Sequence, residues 1–182
     1  MKKHKLAFVD IETTGLDIDK HEILSIGVVL VEQDWSKNIP VFEKMDEFEL
    51  KIKPENIENA DPISLKVNKY NPEDWVSAYT LKKAMNIFSK KTEGVIMVSH
   101  NITFDYGFIE KAFKKTEIEN KMHYHKIDTI SLSFAKLHGK DDIDKFSLRN
   151  LCEYFDIENK NAHNALSDAH ATFMLYRKLF EM

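Results

Sequence analysis

The stretch "FVDIETTGLD" sets Asp10 and Glu12 two residues apart at the end of an apolar run. In a strand, residues i and i+2 share a face, so both carboxylates project together while Ile11 points away. At about 5 Å and an effective dielectric near 20, two such charges repel by roughly 3 kcal/mol. A cost of that size beside a core calls for a positive charge between them. Two more segments carry acids at similar junctions. "HNITFD" places Asp105 where a strand passes into a helix, and "HNALSDAHAT" places His163 five residues before Asp168. Within one regular helix that spacing would turn the two side chains about 140° apart. His163 is therefore expected just before the helix, with Asn164 as the N-cap and the imidazole free to turn toward the site that Asp168 faces.

Four carboxylates around one pocket ask for hard divalent cations with oxygen ligands, Mg²⁺ or Mn²⁺, and two such ions balance the four charges. A pair of ions about 3.5 to 4 Å apart can clamp the attacking and leaving oxygens of a phosphodiester in an in-line displacement. The imidazole then accepts a proton from the attacking water.

The elements that must deliver these groups can be read from periodicity. "KLAFVDIE" and the β-branched "EILSIGVVLVEQ" read as strands, and "EFELKIKP" alternates like a half-exposed strand near a sheet edge; the three are close enough to form a meander. Asp61-Pro62 and Asn71-Pro72 mark helix starts or turns. Leu81, Ala84, Met85 and Phe88 form a helical stripe that ends at Gly94. "VIMVSHN" has the length and apolarity of a fully covered central strand, and Phe104, Phe108 and Ala112 mark a helix packed behind it. "KID" reads as a short last strand; "TISLSFAKL" and "SLRNLCEYF" read as helices. Ala165, Ala169, Thr172, Tyr176 and Leu179 line one side of a final helix. Interleaved strands and helices in 182 residues, 43% of them hydrophobic, predict one α/β domain spanning 1–182.

In order and spacing, "DIETTG", "HNITFD" and "HNALSD" resemble the three motifs of the DEDDh 3′-to-5′ exonucleases, and the resemblance runs from the first strand to the last helix. It implies a ribonuclease H-like fold, a central mixed five-stranded sheet flanked by helices. It further implies hydrolysis at single-stranded 3′ ends, most simply of DNA, releasing nucleoside 5′-monophosphates. Asp10, Glu12 and Asp168 correspond to ligands of the ion that holds the water. Asp10 would bridge to a second ion supported by Asp105, and His163 corresponds to the general base. A sister group places a tyrosine four residues before the last Asp; Asn164 stands there, which excludes that variant. The main chain of Thr13, with Leu16 and Phe104, corresponds to the part that caps the 3′-terminal nucleotide. His100 and Asn101 correspond to residues that orient the site. An RNA or short-oligoribonucleotide 3′ exonuclease is the nearest alternative. A noncatalytic nucleic-acid-binding or polymerase-associated module is a more distant one.

Other acids and histidines have plainer readings. Asp128 before "TISLSF" suits a helix N-cap or a structural buried acid, and His170, two residues beyond Asp168, points to another helix face. The formal net charge of −4, from 30 acidic and 26 basic residues, excludes a global positive field for a long duplex, and scattered lysine pairs suit a grip on a few phosphates of a single strand. Cys152 is the only cysteine, so no intramolecular disulfide forms. No segment has the roughly 20 apolar residues of a membrane span, and the apolar run after Lys5 is too short for a signal peptide. The expectation is a cytoplasmic protein without membrane contact. DNA polymerase association is possible on the resemblance, although no segment for tethering follows the last helix.

Overall fold

The structure is a computed structural model and describes residues 4–36 and 39–182. Five strands form one sheet: β1 (Leu6–Thr13), β2 (Ile23–Asp34), β3 (Val41–Lys51), β4 (Ile96–Ser99) and β5 (Lys126–Asp128). Their order is β3-β2-β1-β4-β5. β1, β2 and β3 form the expected antiparallel meander, whereas β4 and β5 join parallel to β1, so the sheet is mixed. The helices are α1 (Pro62–Val67), α2 (Leu81–Lys91), α3 (Ile102–Thr116), α4 (Thr129–Leu137), α5 (Leu148–Tyr154) and α6 (Ala165–Glu181).

Strand alternation sorts β1 into two cores. Ala7, Val9 and Ile11 pack with Met85, Phe88, Phe108 and Ile109 of α2 and α3. Leu6 and Phe8 point the other way and pack with Ala169, Phe173 and Tyr176 of α6. Asp10 and Glu12 continue this second register, which puts them on the face that α6 covers. The α6 stripe read from the sequence is buried at all five positions, Ala165, Ala169, Thr172, Tyr176 and Leu179. Leu175 and Leu179 of that helix also hold α4 and α5 through Leu137 and Leu151.

One approach is unusually close. Gly27 of β2 pairs with Asp10, and a Cβ built on it would lie 2.2 Å from the carbonyl carbon of Ala165 and 2.3 Å from the Leu166 nitrogen. A glycine here lets the first turn of α6 rest directly on the sheet beside Asp10.

β3 departs from the sequence reading. It begins at Val41, six residues before the "EFELKIKP" segment, and ends at Lys51. Residues 43–47 are exposed and show no alternation, so the hydrophobic pattern does not betray the strand. It is held instead by its ladder to β2, which runs as far as Asp34 and absorbs a register shift between Leu30 and Val31.

Candidate active site

The parallel ladder between β1 and β4 stops at the Phe8–Val98 pair. Past that point the two strands part, and the Asp105 carboxylate enters from the first turn of α3. Its Oδ1 accepts from the Ile11 N–H at 3.2 Å and its Oδ2 from the Ser99 hydroxyl at 2.5 Å. A buried acid thus replaces the strand partner that β1 lacks. The start of α3 depends on Asp128 as well. Asn101, the N-cap, sits in the left-handed region at φ 70° and offers no side-chain bond. Asp128 accepts from the N–H groups of Asn101 and Ile102 while also capping α4 through Ile130 and Ser131. The N-cap role read for Asp128 therefore serves two helices.

On the other side, α6 begins after Asn164, whose side chain accepts from the Ser167 N–H at 3.0 Å. His163 lies just before that cap with φ 65°, exposed. Its main-chain N–H donates to Asp168 Oδ2 at 3.0 Å, and Asn159 Nδ2 donates to Asp168 Oδ1 at 2.6 Å. His163 lines two clefts, one reaching Asp168 and Cys152, the other reaching Glu12, Glu49, Lys51 and Trp75.

These elements bring Asp10, Glu12 and Asp168 together, each offering an oxygen within 4.8 Å of the others. Asp105 is close enough to bear on both β1 acids. Burial, then the charges of Asp105, Asp168 and Glu12, push the Asp10 carboxyl well above the usual range. Burial, then the charges of Asp168, Asp105 and Glu49, push Glu12 up to about 8. Burial lifts Asp105 to about 7 against the bonds from Ser99 and Ile11 that favour its charge. Among the described residues, no lysine, arginine or histidine forms an ion pair with any of the four. The donor set is all carboxylate oxygen, which fits Mg²⁺ or Mn²⁺ and suits soft-ligand metals poorly.

The remaining residues singled out by sequence fall around this cluster. Thr13 is buried; its carbonyl accepts from Asn68 Nδ2 at 2.8 Å, which ties the end of β1 to α1. Leu16 is 75% exposed on the following loop. Phe104 is half-buried against Phe108. Both ring nitrogens of His100 are engaged within the protein, by the Thr129 hydroxyl and the Phe146 carbonyl, each at 2.9 Å. His100 therefore ties β4 to α4 and to the segment before α5. The His170 ring contacts Glu47 of β3 at 3.0 Å. Ser99, Asn159, Glu49 and Gly27 were not anticipated. Nothing in their local pattern distinguishes them, because each acts through a partner distant in sequence or through a backbone approach.

Comparison with known proteins agrees with this architecture. The model of the RNase T exonuclease family, described as "Exonuclease", matches residues 7–176. A DNA polymerase III PolC-type protein of Caldanaerobacter subterraneus is 32% identical over 177 residues, covering 94% of this chain and 11% of the relative. The 3′-5′ exonuclease DinG of Staphylococcus saprophyticus is 34% identical over 181 residues, covering 100% of this chain and 19% of the relative. The chain thus spans less than a fifth of the length of these curated relatives. Among solved structures, E. coli exonuclease I in complex with a dT13 oligonucleotide superposes with a TM-score of 0.79 at 14% identity, covering 97% of this chain and 41% of that one. That likeness shows the ribonuclease H-like fold.

Proposed function

We propose, since this chain belongs to the RNase T exonuclease family, that it is a metal-dependent 3′-to-5′ exonuclease acting on single-stranded DNA ends as one domain. The observation that carries the reading is the gathering of Asp10, Glu12 and Asp168 from β1 and α6, with Asp105 of α3 close beside them, without a cation among the described residues to neutralise them. Lifted carboxyls in a cleft are what a site looks like when its counter-charge comes from outside. Asp10, Glu12 and Asp168 would hold one divalent cation, and Asp10 with Asp105 a second. Two such ions, when bound, neutralise the phosphate and activate the attacking water.

The chain's own residues supply the rest. Asn159 and the His163 N–H fix both oxygens of Asp168 while leaving lone pairs open toward the cleft. The same bond anchors the main chain of His163, so its imidazole swings about a fixed point beside Glu12 and Asp168. One ring nitrogen takes the proton from the attacking water. Leu16 and Phe104, with the main chain of Thr13, hold the terminal nucleotide. Similarity to a DNA polymerase and to an exonuclease bound to dT13 supports DNA as the substrate. In the PolC-type relative the matching stretch is a small part of a polymerase chain, which supports a polymerase as the partner.

The test is digestion of matched, 5′-labelled DNA and RNA oligonucleotides with Mg²⁺, Mn²⁺ or a chelator. Stepwise shortening of the DNA from its 3′ end, release of nucleoside 5′-monophosphates and loss of both with chelator are expected. Intact substrate refutes the reading, and faster loss of RNA moves the substrate to RNA.

A further inference from the structure

The loop that presents Leu16 is fastened from a helix behind it. Lys111 stands two turns after Phe104 on α3, half-buried. Its ammonium donates to three main-chain carbonyls, those of Ile18, Asp19 (3.0 Å) and His21 (3.4 Å). That number matches the three donors of a lysine. No carboxylate pairs with it among the described residues, so the contact is a cation held by converging carbonyl dipoles rather than a surface ion pair.

The rest of the loop is tightened around this point. Thr14 and Glu22 close its base through two bonds, Thr14 N–H to the Glu22 carbonyl at 2.8 Å and Glu22 N–H to the Thr14 hydroxyl at 2.9 Å. The Asp17 N–H donates to His21 Nδ1 at 3.0 Å, and the His21 ring fills the space where Gly15 lacks a side chain. Ile18 occupies the gap left by Gly107 of α3, where a Cβ would stand 2.6 Å from its Cδ1. So much fastening for a short surface loop leaves Leu16, a large apolar side chain, held out at 75% exposure.

We infer that Lys111 is a positioning residue: it locks the Gly15–His21 loop so that Leu16 meets the 3′-terminal nucleotide already in place. The inference rests on the exonuclease reading for its substrate and on the hydrogen bonds alone for the clamp. A contact ordered before binding costs little entropy when the nucleotide arrives, so loss of the clamp weakens substrate capture more than chemistry.

The experiment compares Lys111→Met, Leu16→Ala and the double variant with the wild type. In Lys111→Met, hydrogen exchange of the amides from Leu16 to His21 accelerates while that of Ile109 and Ala112 in α3 does not. Its KM for single-stranded DNA rises about tenfold, the scale of one lost charge-assisted hydrogen bond, with kcat within about twofold. Leu16→Ala raises KM similarly, and the double variant is no worse than Leu16→Ala, since the lysine acts through that side chain. Unchanged exchange in the loop overturns the clamp. Faster exchange with an unchanged KM, or a loss confined to kcat, overturns the link to substrate. If the wild type digests nothing, the exonuclease reading fails, yet exchange still tests the clamp. Should Lys111→Met not fold, Lys111→Gln removes the charge and carries the same measurements.

Discussion

Replacing Gly27 by alanine tests whether the acid cluster depends on how closely α6 lies on β2. The added Cβ would meet the carbonyl carbon of Ala165 at 2.2 Å, its oxygen at 2.3 Å and the Leu166 nitrogen at 2.3 Å. All three are backbone atoms, so no side-chain rotation relieves the clash. For ordinary contact the first turn of α6 must retreat by roughly 1 Å. Further along, Ala169, Phe173 and Tyr176 pin the helix to Leu6, Phe8 and Val29, so the movement concentrates at the start, where His163, Asn164 and Asp168 lie. Overpacking of this kind costs about 1 to 3 kcal/mol, partly offset by roughly 0.5 to 1 kcal/mol from replacing glycine within a strand. For a domain of this size each kcal/mol corresponds to about 2 to 4 °C, so the melting temperature should fall by only a few degrees. Activity should suffer far more, because a displacement near 1 Å of a positioned group costs on the order of 100-fold in rate. The assay is initial-rate digestion of a labelled single-stranded oligonucleotide at saturating Mn²⁺, alongside thermal melting. A Gly27→Ala enzyme that melts normally and retains a third of the wild-type rate would refute the reasoning.

Three further outcomes follow from the same geometry. On the proposed mechanism, in which the imidazole moves a proton and is not needed to hold the ion, His163→Ala should lower kcat by about 10²- to 10⁴-fold while Mn²⁺ still raises the melting temperature; parallel loss of Mn²⁺ stabilisation refutes the base assignment. Asn159→Ala removes the donor on Asp168 Oδ1 and should weaken Mn²⁺ about 10- to 100-fold, read by calorimetric titration; unchanged affinity shows that Asp168 needs no such support. Because Glu12 (about 8) and Asp105 (about 7) lie above their unfolded values, the folded metal-free protein binds more protons than the unfolded chain, so its stability falls as pH rises toward 8. His100, held low by burial, gives the opposite slope only below about pH 6.5, where unfolded histidine charges. Melting with chelator between pH 6.5 and 8 should therefore show a decline that saturating Mg²⁺ flattens; a flat chelated profile contradicts the lifted carboxyls.

The mixed five-stranded sheet was legible through the three-motif resemblance, whereas what periodicity and cap chemistry alone made legible was local. The five α6 positions, the Asn164 cap and the pairing of Asp10 with Glu12 on one face all follow from periods of 3.6 and 2 and from cap chemistry, and the structure shows each. Asp128 was legible as a cap for α4 but not for α3, since its second set of donors comes from a segment 26 residues away. Ser99 and Asn159 were opaque for the same reason: their value lies in a carboxylate that the fold delivers to them. Gly27 sits in a β-branched run where a glycine reads as a weak point, and only the passage of α6 explains it. Apart from Phe42, the side chains in the first half of β3 face water, so no hydrophobic alternation marks it and the ladder to β2 defines it.

The kind of donor chosen for each acid bears on what the site can hold. Asp105 and Asp168 are oriented by a serine hydroxyl, an asparagine amide and two main-chain N–H groups, all neutral. Neutral donors fix where a carboxylate oxygen points and lower the cost of its charge by about 1.5 to 3 kcal/mol each, yet they cancel none of it. A lysine in the place of Asn159 would orient Asp168 equally well and would also neutralise it, removing the demand for a dication. Asp10 and Glu12 lack even neutral donors among the described residues, and they are the acids at the centre of the cluster. The fold thus orients the outer carboxylates and leaves the inner ones without donors among the described residues, so their mutual repulsion is relieved by proton uptake in the metal-free protein and would be relieved by a cation between them.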